Sequence, residues 1–230
     1  GRYDHTVLTD FLKVHGASIT PLIGQLRWLL LVWLIFSVFM NAGMLFCVYS
    51  EAKFGKTFWK GGARYFFPFL KISLIMLLFI VVWTALILIP MTLFFEPSLQ
   101  YFSAENYTVW LVLILVFVYL IGLVILFVWS VISRLLKIHT GHSIAACIKN
   151  GWRIVRNNKS GFLGLMLCFV VLQIILLAIY WALEAFTGMT TSGLILLLFM
   201  VQQIFVFFRI QLRLMMYSGI GSLAIIEANK

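Results

Sequence analysis

Five long apolar stretches alternate with short polar ones along this chain. The apolar runs cover residues 28–48, 67–95, 109–133, 161–183 and 193–208. Each approaches or exceeds the roughly 20 apolar residues that carry an α-helix across a bilayer. Residues 5–16 (HTVLTDFLKVHG) are shorter. Val7, Leu8, Phe11, Leu12 and Val14 fall at helical spacing, and Gly16 supplies a stop, so the pattern predicts a short amphipathic helix lying on the membrane. Thr20-Pro21 reads as a fresh helix start, Thr as N-cap and Pro in the first turn. Trp28 and Tyr49 then anchor the first span at its two interfaces.

Residues 50–66 are basic and aromatic, with Gly55, Gly61 and Gly62 expected to break any long helix before the second span. Pro68 suits that span's first turn, and Pro90 kinks or ends it. A polar loop is expected over 96–108. After the third span, His139-Thr140-Gly141 closes an extended helix and Ser143 caps a new one over 144–157, basic and amphipathic. A short loop at 184–192 separates spans four and five, and the last helix is expected to continue into the segment carrying Arg209 and Arg213.

Composition agrees with this reading. The chain is 63% hydrophobic and 10% charged, against about 45–50% and about 25% in soluble domains. A soluble fold of 230 residues could not hide so much apolar surface. The fold class expected is therefore all-α: a polytopic transmembrane helical bundle of about five spans with interfacial amphipathic elbow helices. Residues 1–20 form an interfacial segment on the outer side, and 21–230 form a single transmembrane domain.

The net charge is +10. On a soluble protein that balance would raise nucleic acid as a partner; on a membrane protein it reports orientation. The 50–72 connection holds 5 Lys and Arg, 134–160 holds 6 and the C-terminal part 3, which is 14 of the 17. Glu96, Glu105 and Glu184 fall on the opposite side. The N-terminus is therefore expected outside and the C-terminus in the cytoplasm. Gly62-Ala63-Arg64-Tyr65-Phe66 recurs in type as Gly151-Trp152-Arg153-Ile154-Val155, each just before a span. The two hairpins, about 21–95 and 109–183, thus read as a parallel repeat, followed by a last helix.

Little in the chain points to catalysis. No Asp or Glu lies mid-span, which removes paired-carboxylate chemistry and the ionisable relay of proton-coupled transporters. His5, His15, His139 and His142 are interfacial, so no haem ligand faces a bundle core. His139, His142 and Cys147 form H-x2-H-x4-C, but no fourth ligand is evident and a helix end with its cap accounts for them. Cys47, Cys147 and Cys168 have no paired spacing, and no nucleotide-binding or hydrolase motif occurs. No catalytic residue, metal or cofactor is expected.

Two groups of residues remain. Gln173, Gln202 and Gln203 lie near mid-span, where an amide makes an interhelical hydrogen bond or meets a ligand. Lys56, Lys60, Arg64, Arg153, Arg156 and Lys159 sit among aromatic residues in the two basic elbows. Such a mixture settles at the headgroup layer and attracts anionic lipid or an acidic partner.

The elbow AACIKNGWRIVRNNKSGFLGLML resembles the repeated element of a broad group of uncharacterised bacterial multi-pass inner-membrane proteins. That group includes the membrane domain attached to some glycerophosphodiester phosphodiesterases. YDHTVLTDFLKVHG and GGARYFFPFLKI resemble more narrowly a Bacteroidetes-like protein type. The resemblance implies six spans, one of them before residue 1, and an inner (cytoplasmic) membrane location. It carries over no catalytic residue, because the phosphodiesterase chemistry belongs to a separate soluble domain. A non-catalytic accessory, scaffold or assembly subunit of a membrane complex is therefore expected, with anionic lipids at the cytoplasmic face and a membrane protein as partners and no nucleic acid. The alternative is a lipid or small-amphiphile transporter with the glutamines lining its path.

Overall fold

The computed structural model describes the backbone of residues 5–50, 54–101, 105–187 and 192–228. It describes their side chains except at 5–20, 22, 23, 54, 94–101, 105–108, 185–187, 192, 227 and 228. Among the described residues the chain forms six α-helices and no strand: α1 (His5–Ser50), α2 (Phe54–Tyr101), α3 (Glu105–Thr140), α4 (Ile144–Asn157), α5 (Lys159–Thr187) and α6 (Ser192–Ala228). Five of them are long and apolar enough to cross a membrane, over Gly24–Ser50, Gly55–Leu93, Val109–Thr140, Lys159–Glu184 and Gly193–Ile226. The protein is a multi-pass membrane protein with an all-α bundle.

The core lies at one end. Val38, Ala42 and Leu45 of α1 pack with Phe69 and Ile72 of α2, Val128 to Leu135 of α3, Ile154 and Val155 of α4, Phe162 of α5 and Tyr217 and Ile220 of α6. This is the end where α1 stops and α2 starts, and where α4 lies; it carries the basic elbows. In the other half, apolar side chains such as Trp33, Leu86, Phe117, Ile174 and Leu196 are exposed. A surface of that composition is stable only against lipid or another apolar surface. There the helices pair off. Trp83 Nε1 donates to the Tyr119 carbonyl at 3.3 Å and Thr84 shares a 3.2 Å bond with the Tyr119 hydroxyl, tying α2 to α3. Gln202 Nε2 donates to the Tyr180 hydroxyl at 2.9 Å, tying α6 to α5.

Expectation and structure agree closely around α4. Gly141 takes φ +66° just past α3, the left-handed C′ position that glycine fills without strain. Ser143 is the N-cap of α4 and accepts from Ala146 N at 3.4 Å. Cys147, Gly151, Ile154 and Val155 form the buried stripe of α4, spaced i, i+4, i+7, i+8 as an amphipathic helix requires. Asn158 ends α4, and its Oδ1 accepts from Gly161 N at 3.1 Å to start α5.

Three expectations are corrected. No break separates 5–16 from the first span: α1 is continuous and Pro21 lies inside it. Pro21 lies three residues before the apolar stretch Gly24–Ser50, and its lost hydrogen bond, an intrinsic penalty of about 3 kcal/mol, does not end the helix. Likewise α2 runs through Gly61, Gly62, Pro68 and Pro90, so the first elbow is the start of the spanning helix and not a helix of its own. Those glycines serve contact, not termination. A Cβ on Gly61 would come within 2.6 Å of Phe46 Cβ, and one on Gly62 within 2.7 Å of the Phe39 ring. Finally, α2 extends to Tyr101 and α3 begins at Glu105, leaving far less loop than 96–108; residues 102–104 lie outside the described residues.

Candidate functional site

The three mid-span glutamines come together. Gln173 of α5 and Gln202 and Gln203 of α6 line one cavity of about 550 Å³ between these two helices, with Tyr180 and Arg209. Val170, Ile174, Leu177, Phe205 and Val206 supply an apolar wall. At 1.5 Å rise per residue, the lining from Val170 to Tyr180 makes the cleft about 15 Å long. Gln202 is held by Tyr180. Gln173, Gln203 and Arg209 make no side-chain hydrogen bond among the described residues, and all three are exposed. The cleft therefore presents amide and guanidinium donors from within a membrane-spanning pair of helices.

The six elbow cations are not gathered into a closed site. Lys56, Lys60, Arg64, Arg153, Arg156 and Lys159 are all exposed at the basic end. None forms an ion pair among the described residues. Arg64 lies 5.8 Å from the Tyr65 ring centroid. Trp59 beside them is 66% exposed, while Trp152 stacks at 4.9 Å on Trp129. Trp129 Nε1 in turn donates to the Ile148 carbonyl at 2.8 Å and clips α4 to α3. The six exposed cations thus share the basic end of the bundle with an exposed indole.

His139, His142 and Cys147 do not gather into a group that could hold a metal ion among the described residues. His139 Nδ1 shares a 2.8 Å bond with the Tyr49 hydroxyl. The His142 carbonyl accepts from Lys137 Nζ at 2.6 Å and from Cys147 Sγ at 3.7 Å. Burial pushes the Cys147 thiol above its ordinary pKa.

Three further arginines, counted in the sequence only for orientation, take part in the packing of the helices. Arg134 lies in the apolar stretch Val109–Thr140 of α3, and Arg209 and Arg213 in Gly193–Ile226 of α6, stretches of 32 and 34 residues that exceed the roughly 20 needed to cross a bilayer core. The signal was available: these are arginines inside apolar helical runs with no acid in the same run. Asn41 is the acceptor for Arg213 Nη2 at 3.0 Å and for the Tyr217 hydroxyl at 2.9 Å.

Comparison with family models, with curated proteins and with solved structures finds no match to this chain.

Proposed function

We propose that this protein is a non-catalytic membrane protein that holds an anionic amphiphile, a lipid or lipid-like molecule, in the cleft between α5 and α6. One observation carries this reading: Gln173, Gln203 and Arg209 line an apolar cavity between two membrane-spanning helices and have no hydrogen-bond partner among the described residues. Hydrocarbon offers no hydrogen bond, and each unsatisfied polar group there costs several kcal/mol. An intramembrane arginine adds about 2.5–3.5 kcal/mol on insertion scales. An occupant with an apolar body and an anionic, hydrogen-bonding head meets all these groups together. Holding such a head within the span is the step that a lipid transporter or permease needs first.

The basic elbows support an orientation with that end in the cytoplasm of a bacterium, as the cation bias of inner-membrane proteins requires. There the elbows would rest on anionic headgroups. One observation favours the accessory or scaffold reading instead: the exposed amides would be satisfied equally by polar side chains of a partner helix.

Purification of the full chain in mild detergent, followed by mass spectrometry of what accompanies it, separates the two. The cleft reading expects about one anionic lipid per chain, lost in a variant carrying Gln203→Leu and Arg209→Gln. A stoichiometric protein partner with no retained lipid would overturn it in favour of the scaffold.

A further inference from the structure

A second polar cluster lies in the packed half of the bundle, where four spanning helices meet. Arg213 of α6 donates through Nη2 to Asn41 Oδ1 of α1 at 3.0 Å and through Nε to the Tyr217 hydroxyl at 2.9 Å. Tyr217 donates to the same Asn41 oxygen at 2.9 Å. From α3, Arg134 Nη2 donates to Ser73 Oγ of α2 at 3.1 Å, and its guanidinium lies 5.8 Å from the Phe69 ring centroid. Arg134 is close enough to Tyr217 and Arg213 to interact with both electrostatically. Its Nε is closed off from solvent and has no acceptor among the described residues.

The chemistry of this cluster is unbalanced. Each guanidinium carries five N–H donors and no acceptor. Asn41, Tyr217 and Ser73 supply only neutral acceptors. No Asp or Glu occurs in 24–50, 54–93, 109–140 or 193–226, the stretches that contribute these residues, and no ion pair forms among the described residues. Arg134 is enclosed and its like-charged neighbour Arg213 repels it from the exposed edge of the cluster. A small oxyanion between them would relieve the repulsion and accept the spare donors. One guanidinium fork satisfies a carboxylate, whereas a phosphoryl group has oxygens enough to engage two. Arg134 Nε is shut in while Arg213 is exposed, so the cluster has a closed floor and an open side.

The geometry points to Arg134 and Arg213 as a receptor for a phosphoryl oxyanion, with Asn41, Tyr217 and Ser73 positioning the two guanidiniums. The oxyanion enters from the side of Arg213. Two sources carry this chemistry, the phosphate of a membrane lipid headgroup and free phosphate. The site is distinct from the cleft between α5 and α6 and stands whether or not that cleft holds a lipid.

The test uses the full chain and two probes. Phosphatidylglycerol is titrated against a phosphate-free galactolipid by native mass spectrometry, and inorganic phosphate is titrated by calorimetry in the same detergent. Preference for phosphatidylglycerol, weakened about tenfold or more in Arg134→Gln and in Arg213→Gln, supports the site and identifies the headgroup as source. Phosphate binding with the same sensitivity, and no lipid preference, supports the site with free phosphate as source. Binding of neither probe, or binding unchanged in both variants, overturns it. Loss confined to Arg209→Gln assigns the lipid to the cleft and also overturns it. Should either glutamine variant lose helicity, Ser73→Ala keeps both charges and releases Arg134. A severalfold weaker affinity then supports the site, and an unchanged one overturns it.

Discussion

Arg213 and Asn41, 172 residues apart in sequence, are joined by a 3.0 Å hydrogen bond that closes the last helix onto the first. The same Asn41 oxygen takes the Tyr217 hydroxyl, so one buried amide serves two donors of α6. Replacing it by Ala leaves a guanidinium and a phenol without their acceptor. Asn41→Ala is expected to destabilise the protein by about 1–3 kcal/mol. A thermal melt of the detergent-solubilised variant reads this directly, and an unchanged midpoint would show that the bond contributes nothing.

The contact of Gly61 with Phe46 sets how closely α1 and α2 pack. A methyl on Gly61 would meet Phe46 Cβ at 2.6 Å, an atom fixed to the backbone that cannot swing away. Gly61→Ala should therefore push the helices apart and cost about 1–3 kcal/mol, despite alanine's better helix propensity. At Gly24 and Gly164 an added Cβ meets nothing, and Ala there should be neutral or mildly stabilising. Parallel melts of the three variants check the ranking.

Cys147 offers a pH readout at the basic end. Burial holds its thiol above the usual range, with Lys137 acting in the opposite direction. Its thiolate is therefore scarce at neutral pH, and alkylation requires the thiolate. Labelling of Cys147 should be slow near pH 7, rise as pH climbs past the ordinary thiol range, and at each pH be faster in denaturant, where the thiol titrates as an ordinary cysteine. Mass spectrometry after timed quenching measures it. Rapid labelling of the folded protein at pH 7 would contradict the burial of α4's inner face.

The elbows carry a prediction about salt. Gln at Lys56, Lys60, Arg64, Arg153, Arg156 and Lys159 together should weaken attachment of anionic-lipid vesicles to the basic face. In the unmodified protein that attachment should fade as ionic strength shortens the Debye length below about 8 Å. Cysteine labelling at position 100 from the outer side must first confirm that the variant inserts normally. Normal insertion with unchanged vesicle attachment would leave the cations as topology determinants alone.

The five spanning helices and the caps around α4 were legible in the sequence, because hydrophobic run length and cap chemistry are local. Gly141, Ser143 and the stripe of Cys147 to Val155 each announce themselves within a few residues. What was not legible depends on neighbours distant in sequence. Gly61 and Gly62 look like helix breakers until Phe46 and Phe39 of α1 are placed against them. Pro90 looks like a stop until the apolar surrounding of its stretch removes water as a competing partner. The glutamines could be singled out one by one, but their convergence needed the pairing of α5 with α6. The continuation of the last helix through Arg209 and Arg213 was expected, but the meeting of Arg213 with Asn41 and of Arg134 with Ser73 joins residues far apart in sequence.

The most direct measurement of the cleft is photo-crosslinking of the full chain, reconstituted in a bilayer, with a phosphatidylglycerol analogue carrying a diazirine near its headgroup, followed by peptide mapping. Adducts concentrated on residues 170–180 and 202–209, and suppressed when Gln203→Leu is combined with Arg209→Gln, are the predicted result. Adducts spread evenly over all five lipid-facing helices, or left unchanged by that double variant, would contradict it.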